Sequence, residues 1–387
     1  MSGTSEPSSD LQDFLGNYWD IFAGSIFAIL AYTLHLGGFA YLTVLFAGLS
    51  IASFSFTVSE IAEILAERLQ EPYSSFVLTF SAVAVEIVLL FMILLEGSHG
   101  EHALETVKSG IISAVIVDMN VLLGIAVFVG GLRFKEQEHN EDTSSTYTTI
   151  LLVASVALLV PSVLSYSPTG SNNLLIASYI IAFLLGLYYL SIFIFQTRTH
   201  MHFFKATARS RIFRLRRKRG QSGEDEEEED NYIFERLSIK ANLIIIFILI
   251  FIIGVIAEIF ANDGMQIANE HGISAALAGL VIAIISVSPE LFTAIKAAKA
   301  DQIQRVVNIA MGASTVSILL TVPILMMLSP LADVQLTLDF NSLQIGALIL
   351  TVILAWKTTD NGETNYVEGI SHLMFFFAFA VIAAFYH

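Results

Sequence analysis

The chain has 387 residues, 55% of them hydrophobic and only 14% charged, with a mean hydropathy of +0.72. That composition excludes an ordinary soluble domain and places the chain among polytopic membrane proteins. A formal charge of −16 excludes nucleic acid as an expected partner, and the absence of cysteine excludes disulfides, thiolate metal sites and cysteine nucleophiles.

The first stretch, MSGTSEPSSDLQD, lacks the basic region that opens a secretory signal, so residues 1–18 are expected to be a cytosolic tail. Apolar segments then follow at 19–36, 39–60, 73–95, 108–131, 147–165, 173–196, 241–261, 273–296, 303–328, 341–357 and 366–386. Each is long enough to cross a hydrocarbon core of about 30 Å, which predicts an all-α protein of about 11 transmembrane helices. Under that count Arg68, Arg133, Lys135, Lys296, Lys299, Arg305, Lys357 and the basic run from Arg198 to Lys240 fall on one side, and Lys108 alone falls on the other. The positive-inside rule then puts the N-terminus in the cytosol and the C-terminus outside, in a multi-pass protein of the cell membrane. Membrane lipid is the expected surrounding, and association into a homo-oligomer is left open.

A lone first helix at 19–37 leaves one five-helix half at 38–198 and another at 240–387, joined by a polar linker at 199–239. An odd number of helices per half makes the second half enter the membrane in the opposite direction, the pattern of inverted repeats. Two short echoes agree with this: IAEIL at 61–65 returns as IAEIF at 256–260, and SAVAVE at 81–86 returns weakly as ISVSPE at 285–290. They match Glu63 to Glu258 and Glu86 to Glu290. In the linker, basic RSRIFRLRRKRG suits anionic lipid headgroups, and the acidic run Glu224–Asp230 reads as a solvated segment.

Glu86 and Glu290 each sit deep in an apolar span, where a carboxylate costs about 2.5–3.5 kcal/mol on insertion scales. Mobile cations that take turns neutralising them would explain both. Helical spacing groups Ser75 and Thr79 with Glu86, and Ser286 and Thr293 with Glu290. Pro289 is expected to kink its helix and free the carbonyl of Ile285 as a further ligand. The expected metal-binding set is therefore Glu86, Glu290, Ser286 and Thr79, oxygen ligands that suit Ca²⁺. Asp118 and Asn120 in the fourth span, and Asn308 and Ser314 in the ninth, are expected on the ion or proton pathway with Glu63 and Glu258; the alternative for these polar residues is simple helix joining. Enzyme motifs such as HExxH and GxxxxGK[ST] are missing, so neither catalysis nor a cofactor is expected.

At these residues the chain resembles the calcium/cation antiporter superfamily, and within it the bacterial Cha-type Ca²⁺(Na⁺, K⁺)/H⁺ antiporters of the cation/proton exchanger family. The most specific stretch is SPELFTAIKAAKADQIQRVVNIAMGAS at 288–314, similar to the second repeat of that group, with EIAEILAERLQEPYSSFVLTFSAVAVEI at 60–87 similar to the first. The resemblance implies an eleven-helix antiporter with its central site at Glu86 and Glu290, and with Glu63 and Glu258 near the access routes. Many members carry an asparagine three residues before each central glutamate; Val83 and Val287 stand there instead, so two amide ligands are missing. The expected function is export of Ca²⁺, or else of Na⁺ or K⁺, against protons by alternating access, with a passive cation channel as the alternative.

Overall fold

The computed structural model describes residues 18–69, 73–97, 101–199 and 233–385. The expected N-terminal tail, the linker over 200–232 with its acidic run, and the side chains of Ser75 and Thr79 lie outside the described residues. The helices are α1 Trp19–Leu36, α2 Ala40–Arg68, α3 Tyr73–Glu96, α4 Glu101–Phe134, α5 Glu141–Ser165, α6 Leu174–Thr199, α7 Ile239–His271, α8 Ala275–Lys299, α9 Ile303–Ala332, α10 Ser342–Thr359 and α11 Tyr366–Phe385. Among the described residues ten of these meet the length and apolarity needed to cross a membrane, and α3, 24 residues of mainly apolar sequence, joins them. The chain is an all-α, multi-pass membrane protein.

Several helices outrun their apolar segments. The 33 residues of α7 span about 50 Å at the helical rise, well beyond a hydrocarbon core of about 30 Å. Apolar composition marks depth in the bilayer, whereas backbone hydrogen bonding continues into the polar ends. Those ends are closed by side chains where the sequence supplies them: Ser238 caps α7, Ser274 caps α8, and Asn341 with Gln344 forms a reciprocal capping box on α10.

Contacts between distant segments sort the helix ends into two faces. At one, Arg68 donates to the Leu237 carbonyl, Arg305 pairs with Glu63, and a two-stranded antiparallel sheet joins β1 Glu136–Glu138 to β2 Glu363–Asn365. This basic face collects the ends of α2, α4, α8 and α10 and the starts of α7 and α9. At the opposite face His35 contacts Asp263, Tyr41 contacts His271, and Lys108 pairs with Asp339 in the loop after α9.

Helix α4 is the most enclosed of the spans, gripped between α8 and α11. A side chain on Gly279 of α8 would place its Cβ 2.7 Å from the backbone at Gly110, and one on Gly369 of α11 would meet the Gly124 carbonyl at 2.7 Å. Glycine at these crossings lets the backbones approach. Helices α4 and α9 each widen into one π-helical turn, at Asp118–Leu122 and Ser317–Thr321. They hold matching places in the two halves, and such turns concentrate at functional sites.

Candidate functional site

The two π turns face a common small cavity of about 20 Å³, lined by Val83 and Glu86 from α3, Asp118 from α4, Ser286, Val287 and Glu290 from α8, and Ala313 and Ser317 from α9. Its size suits one water-sized occupant. Glu86 and Asp118 are buried, and each is held on one oxygen by a serine of α9. Ser317 donates to Glu86 Oε2 at 2.8 Å, and Ser314, one turn earlier, donates to Asp118 Oδ2 at 3.2 Å. The other oxygens, Glu86 Oε1 and Asp118 Oδ1, are buried without a hydrogen-bond partner, as is Glu290 Oε2. Buried polar atoms are almost always satisfied, so three orphaned carboxyl oxygens around one cavity call for an occupant that supplies charge or a proton.

A second cavity of about 580 Å³ leads from the site toward the basic face. Val83, Glu290 and Ala313 line both spaces and form the wall between them. Glu290 stands at the base of this vestibule, with Thr293, Asn308, Gly312 and Thr315 along its sides and Glu63 and Arg305 at its mouth. Toward the opposite face the corresponding space is different: a cavity of about 180 Å³ lined by Val44, Ile93, Phe260, Met265 and other apolar side chains, with Thr106 as its one hydroxyl and no carboxyl group.

The structure thus brings together Glu86, Glu290, Asp118, Ser286 and Ser314, and it lines the approach with Glu63 and Asn308. Three expectations are corrected. Asn120 turns away from the cavity, because two residues on a helix point about 200° apart. It donates to Thr351 and accepts from His372 Nδ1, whose Nε2 meets the Thr358 hydroxyl, each at 3.0 Å in a buried, closed network. Ser286 lines the cavity as expected, and because its hydroxyl donates to the Ala283 carbonyl one turn back, its oxygen lone pairs remain available to a cation. The Ile285 carbonyl freed by Pro289 does not line the cavity and accepts the Ser288 hydroxyl at 2.7 Å instead, and α8 continues through Pro289 as one helix. Glu258 is exposed on α7 and lines neither the vestibule nor the cavity of the opposite face.

Ser317 is the site residue that spacing alone did not single out. Its signal was present: Ser314 and Ser317 lie one turn apart, so the first implicates the second. Among the described residues no three acidic or imidazole side chains converge tightly enough to grip an ion as they stand. Ligation of a cation by Glu86, Asp118 and Glu290 therefore requires the three to draw inward.

The family model of the sodium/calcium exchanger protein matches residues 35–206 and 241–385. The sodium-potassium/proton antiporter ChaA of Escherichia coli is 26% identical over 339 residues, covering 87% of this chain and 87% of that protein. A Ca²⁺/H⁺ antiporter of Synechocystis is 26% identical over 368 residues, covering 94% and 96% respectively. Among solved structures, native YfkE superposes with a TM-score of 0.75 at 19% identity over 95% of this chain and 99% of its own. The H⁺/Ca²⁺ exchanger CAX superposes at 0.66 with 15% identity, over 96% and 93%; both likenesses concern the fold. The matched segments take in both halves of the chain and both central glutamates, and the protein belongs to the sodium/calcium exchanger family.

Proposed function

We propose that this protein is a secondary cation/proton antiporter that exports Ca²⁺ from the cytosol, with Glu86 and Glu290 occupied alternately by the cation and by protons. The observation that carries this reading is the set of orphaned carboxyl oxygens on Glu86, Asp118 and Glu290 around one water-sized cavity. Three negative charges cannot stay buried around so small a space uncompensated. Protons satisfy the oxygens in one half-cycle, and a divalent cation replaces them in the other. Competition for the same atoms is the coupling. Asp118 supplies a third negative group, and Ser314 and Ser317 hold the acids in register.

The positive-inside rule makes the basic face cytosolic. The vestibule then opens to the cytosol, as an exporter awaiting its cargo requires, while the apolar lining toward the other face supports closure there. Glu63 receives cations at the mouth.

A second reading keeps the scaffold and changes the cargo to Na⁺ or K⁺. Val83 and Val287, which replace amide ligands with apolar side chains, favour it, as does the name of the Escherichia coli relative. Liposomes with an imposed pH gradient separate the readings when Ca²⁺, Na⁺ and K⁺ uptake are followed together with internal pH. The antiporter moves cation and protons in opposite directions, and Glu86→Gln or Glu290→Gln reduces both fluxes to background. Cation flux without proton countermovement would instead identify a channel.

A further inference from the structure

One buried polar cluster stands outside the transport site. Asn120, inside the π turn of α4, donates from Nδ2 to the Thr351 hydroxyl of α10 and accepts at Oδ1 from His372 Nδ1 of α11, each at 3.0 Å. The far ring nitrogen, Nε2, meets the Thr358 hydroxyl of α10 at 3.0 Å. All four side chains are at most 2% exposed, and neither Asn120 nor His372 lines the central cavity or the vestibule. Gly124, one turn beyond Asn120, makes room for the ring: a Cβ there would lie 2.9 Å from that of His372. Burying an amide and an imidazole costs desolvation that apolar packing would not incur, so the cluster needs a use beyond joining helices.

We propose that His372 is a positioning residue for the cation site: through Asn120 it locks the π turn of α4 and so keeps Asp118 aimed into the central cavity. The inference rests on the antiporter reading. Asp118 opens the same π turn that contains Asn120, and the two point to opposite sides of α4, so a setting imposed on one side is felt on the other. A π turn holds one residue more than the α turn it replaces, and relaxing it would rotate the helix by one residue's angle, about 100°. That rotation would carry the unpartnered oxygen of Asp118, Oδ1, out of the cavity. Apolar contacts tolerate such slippage, whereas hydrogen bonds weaken steeply when bent. Ser314 holds only the carboxyl group, at Oδ2; the bonds from Asn120 to α10 and α11 hold the backbone that carries it. Support of this outer kind orients the groups that touch a cation.

Substitution can separate the two ring nitrogens. An asparagine side chain places its amide where Nδ1 stands, and a glutamine places it near Nε2. His372→Asn therefore keeps the bond to Asn120 and loses Thr358, whereas His372→Gln keeps Thr358 and releases Asn120. Each gives up one buried hydrogen bond, so a purely structural role predicts equal effects. Half-saturating Ca²⁺ and Na⁺ and the maximal rate are measured by proton countermovement in liposomes holding the full-length protein, alongside its melting temperature. His372→Gln is expected to raise half-saturating cation about five- to tenfold while the maximal rate changes less than about twofold, the range one displaced buried hydrogen bond allows. His372→Asn and Thr358→Val are expected to stay within about twofold of the wild type on both counts. Equal shifts in His372→Asn and His372→Gln overturn the proposal, as does wild-type half-saturation in His372→Gln. If His372→Gln does not fold, Asn120→Leu severs the same link from the other side, and wild-type half-saturation there overturns the proposal equally. A wild type that moves no protons with either cation overturns the antiporter reading, and this inference with it.

Discussion

At the basic face, α2 offers Glu63 beside an open vestibule of about 580 Å³ that reaches Glu290; at the opposite face, the corresponding α7 carries Glu258 exposed and apart from a cavity of about 180 Å³ that holds no carboxyl group. The two faces are assembled from related helices. Their basic residues near the starts of α4 and α9 also differ in use. Arg305 is half-exposed at the vestibule mouth, whereas Lys108 is buried and bonded to Glu105 at 2.9 Å and Asp339 at 2.8 Å. Inverted repeats put similar parts at both faces, but one conformation opens only one of them. The asymmetry therefore describes one half of a transport cycle.

The contrast is broken most directly by chemical access. The chain has no cysteine, so single replacements report without background. Asn308→Cys and Thr315→Cys, in the vestibule, are expected to react with a membrane-impermeant thiol reagent from the basic face, while Met265→Cys, in the apolar cavity, is expected to resist it from either face. Labelling of Met265→Cys as fast as Asn308→Cys would mean that both faces are open together, which an antiporter does not permit.

A second contrast lies in the polar ends. At the basic face, burial holds the His139 imidazole down at about 4, from an ordinary 6.5, and neither ring nitrogen has a hydrogen-bond partner. The folded protein favours the neutral ring, so this contribution is complete above about pH 6.5 and is lost as pH falls toward 4. At pH 5 the loss is about 2 kcal/mol, at 1.36 kcal/mol for each pH unit below the unfolded value. His139→Leu is expected to flatten the decline in melting temperature between pH 6.5 and 5. An unchanged slope would show that the ring finds a partner on protonation.

At the opposite face, burial alone would push the Asp339 carboxyl up. Hydrogen bonds from Lys108 and Thr337, with the Lys108 charge, more than offset this and hold it below the ordinary carboxylate range. Its stabilising share is therefore present above the ordinary carboxylate value and disappears as pH falls through the lowered one. Lys108→Met is expected to cost about 1–2 kcal/mol, modest because both carboxylate partners are partly solvated, and to remove that acid dependence. Thermal unfolding in detergent at pH 7 and pH 4 checks both points.

Much of the fold was legible because bilayer depth writes itself into composition. Each of the eleven apolar segments became a helix, although ends such as those of α2 and α7 ran farther than apolarity could mark. Glu86, Glu290 and Asp118 were legible for the same reason, as acids within apolar runs. Hydroxyl groups were harder. In a helix a serine bonds its own backbone by default, as Ser286 does, and only tertiary placement diverts Ser314 and Ser317 to the acids. Asn120 was readable in principle, since its offset of two from Asp118 already put it on the other side of α4. Its partner His372 lies 252 residues away and carries no local signal. The fate of the Ile285 carbonyl depended on Ser288, directly before Pro289, a neighbour whose hydroxyl can stand in for the missing amide.

The central claim, that cation and proton compete for the same buried oxygens, is tested most directly without a membrane gradient. Titrating the purified, lightly buffered protein with Ca²⁺ while recording pH counts the protons released for each ion bound. Competition for the same oxygens predicts release of about two protons per Ca²⁺, as expected when a metal displaces protons from its ligands, and none from the Glu86→Gln/Glu290→Gln double variant. Saturable Ca²⁺ binding to the wild type with no proton release would contradict it.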